Sequence, residues 1–183
     1  PLWPGEAPAG AVPARLAEFS AGRAAARAAL QALGLKPAPI PAGPDRAPLW
    51  PEGVHGTITH SRSACLAALR RGTGGIGLDL EPLRPLPAEI WDTVLLPEER
   101  RVVEQAADPG LAALLVFSAK EAAYKAQFAF SRQLFGFETL TVRVSGAAFT
   151  ARFRFSAYPF RPGDAIQGGW AQLEGHILTA AAL

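Results

Sequence analysis

Apolar residues recur with two different periods along this chain. Over Arg15–Leu33 they fall at Leu16, Phe19, Ala26, Leu30 and Leu33, spacings that gather on one side of a helix. The stretch is rich in alanine, the strongest helix former, and Gly34 follows where a helix stop belongs. Ahead of it, Pro1–Pro13 reads as a loop or arm. Behind it, the proline-crowded Lys36–Gly53 reads as a long irregular connection. From His55 to Leu69 the pattern predicts two short strands around a turn at Ser61–Ser63. Gly72–Gly75 is a flexible junction. Gly75–Glu81 then alternates with period two, Ile76, Leu78 and Leu80 on one face and Gly77, Asp79 and Glu81 on the other. Pro82, Pro85 and Pro87 end that strand. A helix is predicted over Pro97–Ala107, with Glu98 and Glu99 in its first turn. Asp108 is the expected N-cap of a longer one from Pro109 to about Phe128. Phe137–Phe155 alternates as strands, and His176–Leu183 as a last strand.

The two long helices echo each other. Phe19-Ser-Ala-Gly-Arg-Ala-Ala-Ala-Arg27 and Phe117-Ser-Ala-Lys-Glu-Ala-Ala-Tyr-Lys125 share five of nine positions and both end on a basic residue. Each helix is followed by strand-like sequence. Alanine-rich helices resemble one another easily, so chance is one explanation. The other is a chain of two related halves, residues 1–72 and 73–183, meeting at the glycine junction.

The second helix places Glu121 and Lys125 at i, i+4, on one face. Alone, that is an ordinary solvated ion pair. Asp79 and Glu81 change its meaning. Two carboxylates side by side on an apolar strand repel unless a positive charge sits between them. Either they face solvent at a strand end, or with Glu121 they form a hard oxygen site suited to Mg²⁺. Basic residues supply a second set. Arg15, Arg23 and Arg27 fall at roughly 0°, 80° and 120° around the first helix, a broad basic flank. Arg46 lies in the proline-rich connection, and His60 ends a short strand after Thr59. These residues are either a solvated face with a structural histidine or a grip for several phosphates. His55 and His176 have no comparable setting and read as structural. No phosphate-binding glycine loop, zinc motif, dinucleotide fingerprint or serine-nucleophile elbow is present.

Composition narrows the field. With 49% apolar and 19% charged residues, the 183-residue chain reads as an ordinary globular protein. A net charge of +2 is too small to argue for nucleic acid. The single cysteine, Cys65, excludes an internal disulfide and fits a reducing cytoplasm, where it reads as a small buried side chain. No run approaches the ~20 apolar residues of a membrane span, and the start lacks a basic-then-apolar leader pattern.

At this point the chain resembles a known family. Gly75-Ile-Gly-Leu-Asp79-Leu-Glu81, followed about forty residues later by Phe117–Lys125, is similar to the paired signature of phosphopantetheinyl transferases. Arg15–Arg23, Arg46–Pro51 and Gly56–His60, in that order, point to the enterobactin-synthase-component type of the single-chain, Sfp-like class. The resemblance runs from about Arg15 to Phe137, with a Thr-Ala-Ala ending at Thr179–Ala181. It implies an α+β fold made of a pseudo-twofold pair of similar halves, with coenzyme A in the cleft between them and a monomeric protein. It further implies Mg²⁺ held by Asp79 and Glu121, with Glu81 or water completing the shell. Arg15, Arg23, Arg46, Thr59, His60 and Lys125 would hold phosphates or the nucleotide end. The serine of an acyl or peptidyl carrier protein would be the acceptor, with Glu81 as base and Lys125 as its rival. Acidic helices of the carrier would meet an apolar and basic surface, for which Leu83–Trp91 and Phe128–Phe135 are candidates. Two positions depart from the family pattern: Thr57 stands where serine is frequent, and Ala42 where a basic residue is sometimes found. Two other readings use the same residues: a Mg²⁺-dependent hydrolase of coenzyme A or nucleotide pyrophosphates, and a non-catalytic module that binds coenzyme A or a carrier.

Overall fold

The computed structural model describes residues 1–8 and 10–183. Helix α1 (Pro13–Ala32) covers a two-stranded antiparallel hairpin, β1 (Val54–His60) and β2 (Cys65–Arg71). Strand β3 (Ile76–Pro82) then enters a second sheet. The short α2 (Trp91–Val94), then α3 (Pro97–Val103) and the long α4 (Pro109–Ser131) lead to strands β4 (Leu140–Ser145), β5 (Ala148–Phe153), β6 (Ala165–Leu173) and β7 (His176–Ala182). That sheet has the order β3-β7-β6-β5-β4 and is antiparallel throughout. The fold is therefore mixed α and β, a helix laid over each antiparallel sheet. Among the described residues no helix is long and apolar enough to cross a membrane.

Local signals explain most element ends. Asp108 caps α4 by accepting a hydrogen bond from Leu111 N at 3.0 Å. At its other end Arg132 turns left-handed (φ 52), while its N–H still donates to Phe128 O. Both echo segments, Phe19–Arg27 and Phe117–Lys125, lie inside the helices that cover the sheets.

The main core fills the space between α4 and the five-stranded sheet, with Phe149 and Phe153 almost fully buried. A smaller core of Ala26, Leu30, Ile40 and Val54 lies under α1. The two meet along β1 and β3, which do not pair by backbone. Instead the Thr57 and Thr59 hydroxyls accept from Leu78 N at 3.3 Å and Leu80 N at 3.1 Å. Side-chain oxygens thus satisfy β3 donors that would otherwise be stranded inside the protein.

The structure corrects or adds to the sequence reading at four points. The helix predicted over Pro97–Ala107 ends at Val103, and residues 104–107 form turns. The strand β6 was not anticipated, because Gly168 and Gly169 interrupt its alternation. Gly168 is required there, since a Cβ would strike the Phe149 ring at 2.1 Å. The N-terminal arm has no helix or strand among its described residues before Pro13, as read, but it is anchored, since Glu6 is 1% exposed. Finally, of the two readings of the basic flank of α1, the solvated face holds for Arg15 but not for Arg23 and Arg27, which belong to the buried face. The reason is Glu6, whose carboxylate receives Arg27 Nη1 at 2.8 Å and the backbone N–H groups of Trp3 and Ile40. Arg27 is committed to this pair and to Pro1 O.

Candidate active site

Strand β3 and helix α4 carry the acidic cluster, and two glycines let them touch. A Cβ at Gly77 would lie 1.9 Å from Ala122 O, and one at Gly75 1.9 Å from Ala126 O. Only glycine permits that approach. The Gly77–Asp79–Glu81 face therefore looks toward α4, which takes Asp79 out of water.

Asp79 is 4% exposed and held at both oxygens. Ser118 Oγ donates to Oδ2 at 2.9 Å, and Lys125 Nζ donates to Oδ1 at 2.7 Å. Lys125 also donates to Leu78 O at 3.0 Å. Thr179 stands opposite Asp79 in the β3–β7 register and donates to Ser118 O at 2.9 Å, fixing the turn of α4 that carries the serine. Lys125 thus reaches across to the strand to pair with Asp79, although Glu121 is its i−4 neighbour on the helix.

The other two carboxylates share that one ammonium. Burial, reinforced by the charge of Asp79, pushes the Glu81 carboxyl up to about 7; Glu121 adds to this, and Lys125 and His176 oppose it. Burial also raises Glu121, with Lys125 opposing and Asp79 adding. Hard oxygen donors with negative charge in excess are the donor chemistry of a Mg²⁺ site, so these residues fit the ion. In the present arrangement, with Lys125 against Asp79, no group of three or more His, Cys, Asp or Glu side chains among the described residues is set to hold a metal.

Beside the cluster opens a cavity of about 450 Å³, formed between the proline-rich connection, β1 and the C-terminal half of α4. Arg46 and Lys125 line it together, with Trp50, Tyr124 and Phe128 as aromatic walls. A smaller cavity of about 120 Å³ lies on the other side of Tyr124, lined by Glu121, Phe135 and Phe137. Arg15, Arg23, Thr59 and His60 do not line either one. Arg15 is exposed and pairs with Glu18 at 2.7 Å. Arg23 is buried, its Nε donating to Ile40 O at 2.7 Å, and both guanidinium groups lie against the Phe19 ring. Thr59 is buried with its oxygen engaged by Leu80 N, and His60 is exposed at the end of β1.

Residues 3–70 match the 4′-phosphopantetheinyl transferase N-terminal domain, and residues 75–176 match the 4′-phosphopantetheinyl transferase superfamily. The chain belongs to this superfamily. Among its relatives, the 4′-phosphopantetheinyl transferase Svp of Streptomyces mobaraensis is 39% identical over all of this chain and 78% of its own length. PptT of Mycobacterium tuberculosis is 34% identical over 98% of this chain and 85% of its own. Enterobactin synthase component D of Salmonella typhi is 30% identical over 90% and 70%. The protein is accordingly an enzyme, a transferase of the 4′-phosphopantetheinyl group.

Sequence reasoning missed several residues that shape the candidate site. Ser118 and Thr179 orient Asp79; both lay inside motifs that carry the resemblance, so a signal existed. His55, read as structural, and Arg132, passed over, both line the larger cavity. Nothing in their spacing could announce this, because they meet only when β1 and α4 pack together.

Proposed function

We propose that this transferase moves the 4′-phosphopantetheine arm of coenzyme A onto a serine hydroxyl of an acyl or peptidyl carrier protein, in a Mg²⁺-dependent reaction that releases 3′,5′-ADP. The observation that carries the reading is the position of Lys125, which bonds to Asp79, feels the charge of Glu81 and Glu121, and lines a cavity large enough for part of a nucleotide. Asp79 and Glu121 would hold Mg²⁺, with Glu81 or water completing the shell, and the ion would supply positive charge beside the pyrophosphate. The chain's own residues do the rest. Lys125 lines the cavity and offers its charge to pyrophosphate oxygens. The serine oxygen bonds to the β-phosphorus of coenzyme A as the bond from that phosphorus to the bridging oxygen breaks. The hydroxyl proton passes to Glu81.

Arg46 binds within the cavity. Arg15, Arg23, Thr59 and His60 serve the phosphates and nucleotide end from the α1 side; Thr59 keeps its own hydroxyl proton to donate, and Arg23 commits only its Nε among the described contacts. The two halves, 1–72 and 73–183, form a pseudo-twofold pair. Supporting this are the helix echo, a helix over a sheet in each half, and separate family matches over 3–70 and 75–176. A monomer in the cytoplasm is the expected form, with Cys65 as a free thiol. Because relatives include enterobactin synthase components, carriers of siderophore and other secondary-metabolite assembly are the first acceptors to try. Leu83–Trp91 and Phe128–Phe135 are the surfaces offered to them.

The test is intact-mass spectrometry of several apo carrier proteins incubated with the enzyme, coenzyme A and Mg²⁺, with an EDTA control. A gain of one phosphopantetheine, lost with EDTA, is expected. Cleavage of coenzyme A without transfer would make the protein a hydrolase instead; neither event on any carrier would leave a binding module.

A further inference from the structure

The larger cavity is walled by both halves, and one ion pair spans it. Asp45 belongs to the proline-rich connection and Arg132 to the end of α4, 87 positions later. Arg132 Nη1 donates to Asp45 Oδ2 at 3.1 Å, and both residues line the cavity. Each is held from behind. Asp45 Oδ1 accepts from Ala47 N at 3.0 Å, within a turn closed by Gly43 N on Ala47 O at 2.8 Å. The Arg132 guanidinium rests 5.7 Å from the centre of the Phe128 ring, itself a cavity wall.

The cavity's charge is lopsided. Arg46, Lys125 and Arg132 are cationic, and Asp45 is the one carboxylate among the lining residues. That carboxylate sits on Arg132. The side chains of the pair are 56% and 35% exposed, so solvent screens it, and such a pair adds little to stability. A phosphate offers the same guanidinium a matched, charge-assisted partner. A weak internal anion on an exposed cation of a cavity rich in positive charge is a placeholder more than a staple.

We propose that Arg132 is a phosphate-binding residue for coenzyme A, and that Asp45 holds its guanidinium over the cavity until a phosphate oxygen of the ligand takes the carboxylate's place. Asp45 is then a competitor of the ligand. The inference rests on the transferase reading, which supplies coenzyme A as occupant. It also gives the two residues opposite signs, which a purely structural bridge between the halves does not.

Isothermal titration of coenzyme A into wild type, Arg132→Gln, Asp45→Asn and the double variant tests it. Arg132→Gln is expected to weaken binding about tenfold, the loss of one charge-assisted contact. Asp45→Asn is expected to tighten it about two- to fivefold by removing the competitor, and the double variant to resemble Arg132→Gln. Arg132→Lys should recover part of the loss, as a point charge without the fork. Both side chains are at the surface, so thermal melting should show the fold intact. Weakening by both single variants, or no effect of Arg132→Gln, would overturn the proposal and leave the transferase reading standing. Failure of the wild type to bind coenzyme A would overturn that reading, and this inference with it.

Discussion

Glu99 and Asp79 are both buried carboxylates bonded to a lysine of α4, yet they sit in different electrical company. Glu99 receives Lys120 Nζ at 2.7 Å, Leu96 N at 2.7 Å and Val142 N at 2.6 Å. Lys120 spends its other two protons on Val94 O and Phe137 O. That pair is neutral and saturated, and it ties α3, β4 and α4 into one body. Asp79 is equally well bonded, but its partner Lys125 has two further carboxylates near it, and burial first, then the charge of Asp79, pushes Glu81 and Glu121 up. Where the chain uses buried charge for architecture, every group is answered. At the candidate site, carboxylates outnumber the ammonium beside them.

The largest expected effect follows from that excess. Glu81→Gln should lower transfer to carrier protein by about 10²–10⁴-fold, as loss of a general base does. Its melting midpoint should not fall, since repulsion is relieved. Unchanged turnover would remove Glu81 as proton acceptor. Lys120→Met should do the reverse, costing stability first. Stranding a buried carboxylate costs about 3–5 kcal/mol, read as a lower urea midpoint, and pairing it with Glu99→Gln should restore much of the loss. If Lys120→Met melts like wild type, the contrast between the two lysines collapses. Gly77→Ala forces a methyl into Ala122 O and should cost about 1–3 kcal/mol as overpacking, with reduced transfer because Asp79 must shift.

Acid and base limbs of stability sharpen the comparison further. Burial works to raise Glu6, but the Trp3 and Ile40 N–H groups and Arg27 outweigh it and hold its carboxyl below 4.5. Its contribution is therefore full above pH 4.5 and lost as pH falls through the folded value. Glu81 has the opposite sign. With a folded pKa of about 7 against 4.5, its contribution is present below pH 4.5 and drains away as pH rises toward 7. Melting profiles in EDTA should show Glu6→Gln flattening the acid limb and Glu81→Gln flattening the decline between those values. Identical profiles for both variants would refute the assignment. The smallest effect is Glu18→Gln: this exposed partner of Arg15 should leave the urea midpoint where it was.

What sequence alone determined is the set of parts whose signals are local. The two long helices, the hairpin, the Asp108 cap and the acidic strand follow from spacing and end residues over a few turns of chain. The paired motifs around Asp79 and Glu121 identified the family. Local signals also misled, and for one reason: they cannot see a partner distant along the chain. The burial of Arg23 and Arg27 could not be read, because Glu6 and Ile40 come from outside the helix. Lys125 looked like the partner of Glu121, its neighbour on the helix, until β3 brought Asp79 closer. Only the tertiary structure decided these pairings, together with the glycine contact that seats β3 on α4, the Ser118–Thr179 support of Asp79 and the bridge from Asp45 to Arg132. Each depends on burial and on distances between segments far apart in sequence, and those exist only once the sheets and helices have packed.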